Sequence, residues 1–339
     1  MRRKVHDFFS SETHEIGGPQ RGTRIGLSEY ELLDRTRKTL VKQVGDGSII
    51  KRFDMTPVPR TSTDIVCPHF LEFKWALGCP YDCAWCYLKG SLRHYSRGKS
   101  FTPKSRLTIR EHLMALFRAE SRGNEVLNSG EVADSLADEQ FGVPFSKFII
   151  PIFETQSRYK LLLLTKSNNV GNLLNISPHR QVIVSFSVNS IPVAKRWERA
   201  PSVLDRLEAA KKVFDVGYET RIRIDPVVPY PTDWQPHYKT LVDEIFARFY
   251  PERITLGSLR GLQSTINEAQ DKSWVGFLEE PSRWGRRIRF DRRRETFRVI
   301  KDYLEEQYSY DKIALCKEPV ATWRSLGMGW RGCRCNCLW

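Results

Sequence analysis

The 339-residue chain reads as an α/β protein with a parallel sheet, open or curled into a partial barrel. Two observations predict this. From about residue 61, short apolar strand-like runs alternate with amphipathic helical stretches, as in consecutive βα units. Those runs end in polar residues, and parallel sheets collect their chemistry at the carboxyl ends of their strands. The strand-like runs fall at 69–77, 126–130, 160–166, 181–189, 220–228 and 253–259, and helical ones at 108–120, 202–217 and 237–249. In the second helix, apolar residues at 203, 204, 207, 210, 213, 214 and 216 lie close to one stripe, and Gly217 stands at a C-cap position. The polar strand ends are Ser129-Gly130-Glu131, Lys166-Ser167-Asn168, Ser187-Val188-Asn189 and Arg223-Ile224-Asp225.

Around this core, residues 1–60 read as an N-terminal extension with one short strand after a Gly-Asp-Gly-Ser turn. Residues 61–260 form the barrel, and 261–339 an Arg-rich region ending in a cysteine tail. The apolar share of 40% excludes a wholly disordered chain, and no apolar run approaches the roughly 18 residues of a membrane span. The basic start lacks the apolar segment of a secretory signal, so the expectation is a soluble, cytoplasmic protein without membrane partners. Lys and Arg total 54 against 40 Asp and Glu, a net charge of +14 that favours a polyanionic partner. The eight cysteines are clustered, as in metal ligation and unlike a secreted disulfide framework.

Cys79, Cys83 and Cys86 carry the sharpest signal. Three thiolates on one short loop can hold three irons of a four-iron cluster, leaving one iron open to a ligand. Zinc is the alternative, with His69 as a loose fourth ligand. The CxxxCxxC spacing, with Trp85 before the third cysteine, resembles the radical S-adenosylmethionine (radical SAM) superfamily. Within it the chain resembles the spore photoproduct lyase family over roughly residues 70–300. The likeness rests on Cys86-Tyr87-Leu88, Ser185-Phe186-Ser187-Val188-Asn189, Pro201-Ser202 with Arg206-Leu207-Glu208 and Gly217-Tyr218, and the basic segment Arg283-Trp284-Gly285-Arg286.

The resemblance implies a partial (β/α)6 TIM-like barrel and a [4Fe–4S] cluster on Cys79, Cys83 and Cys86. It implies that SAM binds the open iron, is cleaved to a 5′-deoxyadenosyl radical, and meets a flavodoxin or ferredoxin as electron donor. SAM would then contact Trp85, Glu131, Lys166, Ser187, Asn189 and Arg223, although an internal ion pair with Asp225 is an equal reading for Arg223. The implied activity is lyase-like repair or modification of nucleic acid, DNA first. The rival readings are a radical enzyme on a peptide or small molecule, and a nucleic-acid-binding Fe–S or zinc protein without activity.

Two departures stand out. The family's hydrogen-donor cysteine would fall near Asn128-Ser129-Gly130-Glu131, where this chain has none, and a tryptophan replaces the tyrosine before the third cluster cysteine. Tyr87 is therefore the expected donor and catalytic residue, ahead of a tail cysteine folded over the barrel mouth. The eight arginines of 283–298 suggest nucleic-acid contact through Trp284, Arg286, Arg287 and Arg289, since guanidinium groups bind phosphates and aromatic rings stack on bases. Cys316, Cys333, Cys335 and Cys337 supply the four thiolates of an auxiliary Fe–S cluster or a zinc site. Cys67 has no assigned role.

Overall fold

In the computed structural model, which describes residues 23–119, 123–140 and 142–339, the βα alternation builds one ten-stranded sheet. Strands β1 (Ile25–Glu31), β2 (Arg37–Val44) and β3 (Ile50–Phe53) are antiparallel and hand the sheet on to β4 (Phe70–Phe73). From β4 the order is parallel through β5 (Glu125–Asn128), β6 (Tyr159–Thr165), β7 (Val182–Val188), β8 (Glu219–Val227), β9 (Ile254–Ser258) and β10 (Ile313–Leu315). Every residue of β7 is buried, as parallel strands are when both faces are covered.

The crossovers are helical. Among them are α1 (Arg106–Arg118), α2 (Phe145–Phe153), α3 (Val203–Asp215), α4 (Trp234–Phe246) and α5 (Phe290–Tyr308). Ser202 caps α3 by accepting from the Asp205 amide at 3.1 Å. At its other end Gly217 takes φ 92° and donates to the Phe214 carbonyl at 2.9 Å, the left-handed C-cap its position predicts.

The sheet curls until its two parallel edges approach. Glu318–Pro319, just beyond β10, pairs with Ile65–Val66, just before β4. The Glu318 side chain is buried there with that of Arg293 on α5, and it also accepts from Ser258 Oγ at the end of β9. Arg293 continues to Glu280 at 2.8 Å and to the Ile288 carbonyl at 2.7 Å.

Three features of the structure bear on the sequence reading. The part of residues 1–60 within the described residues is no separate extension, because β1 to β3 extend the main sheet and Arg52 ties them to β5 through Glu125 at 2.7 Å. Residues 1–22 lie outside the described residues. The barrel does not stop at residue 260: β10 adds a seventh parallel strand among the described residues. The tail does not fold over the mouth. Arg221, near the start of β8, donates to the Asn336 carbonyl at 2.8 Å, and Arg253, just before β9, to that of Cys335 at 3.0 Å. Asn336 reaches Ser185 Oγ at 2.7 Å and Thr255 Oγ1 at 3.0 Å, so the tail plugs the end of the barrel where the strands begin.

Replacing Arg293 with Ala strands a buried carboxylate and should cost about 3–5 kcal/mol in urea unfolding, with part recovered in Arg293→Ala/Glu318→Met. Asn336→Ala leaves the buried Ser185 hydroxyl short of a partner, while the backbone amide still reaches Thr255, and should cost about 1–3 kcal/mol by the same measurement.

Candidate active site

The cysteine loop follows β4 and leads into the short helix Leu88–Ser91. Gly78 opens it at φ 85°, and a Cβ there would stand 2.4 Å from the carbonyl oxygens of Lys99 and Ser100. Only glycine fits so close an approach. Cys79 then donates its amide to the Lys99 carbonyl at 2.9 Å, and Lys99 Nζ closes on the Tyr81 carbonyl at 2.5 Å and on Asp82 at 3.4 Å. Ala84 is held from the other side by the Trp197 carbonyl at 2.8 Å.

This clamped loop forms one wall of a cavity of about 580 Å³ at the carboxyl ends of the strands. Cys79, Cys83 and Cys86 all line it, and each thiol lies within electrostatic reach of another. Burial raises all three thiol pKa values, that of Cys83 to about 11. Bare thiolates would be costly here, and a bound cation removes that cost.

Trp85, Tyr87, Glu131, Lys166, Ser187 and Arg223 line the same cavity, as their sequence positions predict. Four of them are already held by protein groups. Trp85 packs on Trp197 at 5.5 Å between ring centres, and Glu131 accepts from Asn128 Nδ2 at 2.9 Å. Lys166 reaches Glu198 at 2.5 Å, and the buried Glu198 also takes Arg206 at 2.7 Å. Burial opposes the Glu198 charge, but Lys166 and Arg206 outweigh it and hold the carboxyl below its ordinary pKa. Arg223 pairs with Asp225 at 2.6 Å, so the internal ion-pair reading holds, while its side chain still borders the cavity. Tyr87 keeps 41% of its surface exposed into this space. Loss of hydration at its hydroxyl, then Glu131, raises the hydroxyl pKa well above the ordinary value.

Asn189 is not brought to the cavity. It lies one residue past β7, and its amide turns to the Pro226 carbonyl at 2.7 Å and to the Tyr238 hydroxyl at 3.0 Å. The arginine cluster divides. Arg287 pairs with Glu280 at 2.8 Å and Arg289 with Asp291 at 2.6 Å, while Arg286 is exposed. Trp284 borders the cavity, with its ring stacked on Phe53 at 5.9 Å and Lys317 5.2 Å from its centre. Its buried indole nitrogen has no hydrogen-bond partner, which fits a polar ligand in the cavity.

Several cavity residues were not singled out from the sequence. Asp134 accepts from Thr165 Oγ1 at 2.6 Å and from the Lys166 amide at 2.8 Å, and burial raises its pKa. Its place just after the Ser129-Gly130-Glu131 strand end was the available signal. Phe53, Arg260 and Lys317 come from segments distant in the chain, and no local pattern marks them. Cys316 stands 3.3 Å from Arg223 Nη2, and it does not line the cavity shared by Cys67, Cys333 and Cys337.

A curled parallel sheet with a three-cysteine loop at its carboxyl-end cavity is the arrangement of the radical SAM class. A family model described as spore photoproduct lyase matches residues 71–256, more than half of the chain. The chain belongs to the spore photoproduct lyase family. It is 25% identical over 169 residues to the spore photoproduct lyase of Clostridium acetobutylicum, a match covering 49% of this chain and 48% of that protein. The chain thus spans about half the length of this curated relative.

Two solved structures share the fold. Spore photoproduct lyase complexed with dinucleoside spore photoproduct matches with a TM-score of 0.61 and 17% identity over 72% of this chain and 75% of that one. A double mutant with bound AdoMet and dinucleoside spore photoproduct matches with a TM-score of 0.58 and 16% identity over 77% and 78%. Among the described residues, no helix is long and apolar enough to cross a membrane.

Gly78→Ala should displace the loop and lower the iron taken up on anaerobic reconstitution, measured by metal analysis. Full uptake in that variant would show that the close approach at Gly78 does not shape the site.

Proposed function

We propose that this protein is a radical SAM enzyme acting on nucleic acid, in the lyase-like manner of its family. One observation carries the reading: three cysteine thiols open on the same cavity as Glu131, Lys166, Ser187 and Arg223. A [4Fe–4S] cluster on Cys79, Cys83 and Cys86, reduced by a flavodoxin or ferredoxin, would supply the electron that cleaves SAM to methionine and a 5′-deoxyadenosyl radical. The chain's own residues bind and orient. Glu131 offers a carboxylate to the methionine ammonium, and Arg223 a guanidinium to its carboxylate. Ser187 offers a hydroxyl, Lys166 lies beside it, and Trp85 presents a ring face to the adenine.

The rim suits a polyanion. Trp284 and Lys317 stand at the cavity, with exposed Arg283 in the turn beside Trp284 and exposed Arg286 on the short strand that follows. A ring and cations in this arrangement suit an unstacked base and its phosphates. Tyr87 holds its hydroxyl hydrogen inside the cavity and is the residue placed to return a hydrogen atom to the product.

Incubation of reduced enzyme and SAM with ultraviolet-irradiated DNA, followed by mass spectrometry of the digest, tests the reading. 5′-Deoxyadenosine should appear together with an altered lesion. 5′-Deoxyadenosine without any change in nucleic acid would favour a peptide or small-molecule substrate, and none at all a binding protein. Replacing Cys79, Cys83 and Cys86 together with Ala should abolish SAM cleavage. Tyr87→Phe should keep cleavage but lower product, with uncoupled 5′-deoxyadenosine rising. Unchanged product there, with loss in Cys316→Ala, would move the donor role to Cys316. Affinity for DNA should fall steeply with salt, and Arg286→Ala should make that dependence shallower.

A further inference from the structure

Four buried cysteines gather at the end of the barrel opposite the cysteine loop. Cys67 lies on the way into β4, and Cys333, Cys335 and Cys337 alternate along the tail. Cys67, Cys333 and Cys337 line one cavity of about 230 Å³. The Cys335 thiol lies against those of Cys333 and Cys337, and Cys67 is within electrostatic reach of Cys335 and Cys337. Alternation would set the three tail sulfurs along one line of an extended segment. Turns closed by the Cys333 amide on Trp330 at 3.2 Å and the Leu338 amide on Cys335 at 3.1 Å fold that line inward.

The surroundings fit a charged centre. Arg253, Arg223 and Lys317 lie within electrostatic reach of Cys335, Cys337 and Cys67 respectively. Arg253 also grips the Cys335 carbonyl at 3.0 Å, and Asn128 Nδ2 points at Cys337 Sγ from 3.5 Å. These are the outer contacts that orient thiolate ligands and offset their charge. Cys316, the fourth thiol that spacing suggests, is instead engaged by Arg223 at 3.3 Å.

We propose that Cys67, Cys333, Cys335 and Cys337 bind one thiophilic divalent cation of the zinc class, which staples the tail into the barrel. Four thiolates about 2.3 Å from one zinc stand within about 4 Å of each other, so the contacts of Cys335 with Cys333 and Cys337, with Cys67 on the same cavity, suit a single ion. A four-iron cluster holds its thiolates on separate irons, further apart. Among the described residues the thiols touch without surrounding a common point, so coordination requires side-chain rotation, here as at Cys79, Cys83 and Cys86. Binding releases four thiol protons to solvent and leaves a centre of charge −2 beside the three cations. The proposal does not rest on the radical reaction.

The full chain carrying Cys79→Ala, Cys83→Ala and Cys86→Ala, prepared anaerobically and freed of metal, is titrated with Co²⁺. One equivalent should give the intense absorption of tetrahedral thiolate cobalt, be displaced by Zn²⁺ and raise the Tm. Cys67→Ser and Cys335→Ser should each weaken binding by about tenfold or more, since even outer-shell partners cost that much. Cys316→Ser should leave it unchanged. The proposal is overturned by absence of the thiolate band, by a band that survives Cys67→Ser but not Cys316→Ser, or by uptake of several irons at the tail. Should the triple variant fail to fold, the unsubstituted chain as purified should hold one zinc besides its iron, and a chain without zinc would count against the site.

Discussion

The ion pair between Arg293 and Glu318 is the constraint on which the rest of the structure depends. Both side chains are almost wholly inside the protein. A charge in that position is stable only with a partner and with its remaining lone pairs and protons satisfied. Glu318 meets that demand with Arg293 from α5 and Ser258 from β9, while its backbone pairs with Val66 ahead of β4. Arg293 meets it with Glu280 and the Ile288 carbonyl. The Glu318 backbone pairing thus sets this buried pair where the chain beyond β10 meets the segment ahead of β4. Curling the sheet in this way makes the cavity.

The cavity repeats the principle on its walls. Lys166 and Arg206 share Glu198, and Arg223 shares Asp225 with Arg260. Groups suited to SAM's charged ends are thus held in place by internal partners before any ligand arrives, which lowers the ordering cost of binding. The cysteine thiols differ. Their burial outweighs the lysines near Cys83 and Cys86, which favours a group that brings positive charge with it.

Much of this was legible along the chain. Six of the seven parallel strands lie on apolar runs visible in the sequence, four of them ending in polar residues, and the α3 stripe, its Ser202 cap and Gly217 were readable because helix and capping rules are local. The cysteine loop was legible because its ligands are neighbours in sequence. Asn189 was misplaced because alternation holds only while the strand lasts, and β7 ends one residue earlier. The arginine run looked like a nucleic-acid surface from its composition. Glu279, Glu280, Asp291 and Glu318 take up four of its eight arginines, and all of these acids but Asp291 lie outside the run.

Local chemistry in the sequence determined the class of fold, the three-cysteine loop and the strand ends where ligands gather, because periodicity, capping and ligand spacing act over a few residues. The tertiary structure alone decided that residues 25–53 extend the sheet and that the tail enters the barrel from the end opposite the loop. It also decided that Cys67, rather than Cys316, stands beside the tail thiols. Those outcomes follow from which buried charges and backbone groups must find partners across the whole chain, Arg52 for Glu125 and Arg221 for the tail carbonyls among them. Such pairings have no fixed separation in sequence, so no local pattern records them.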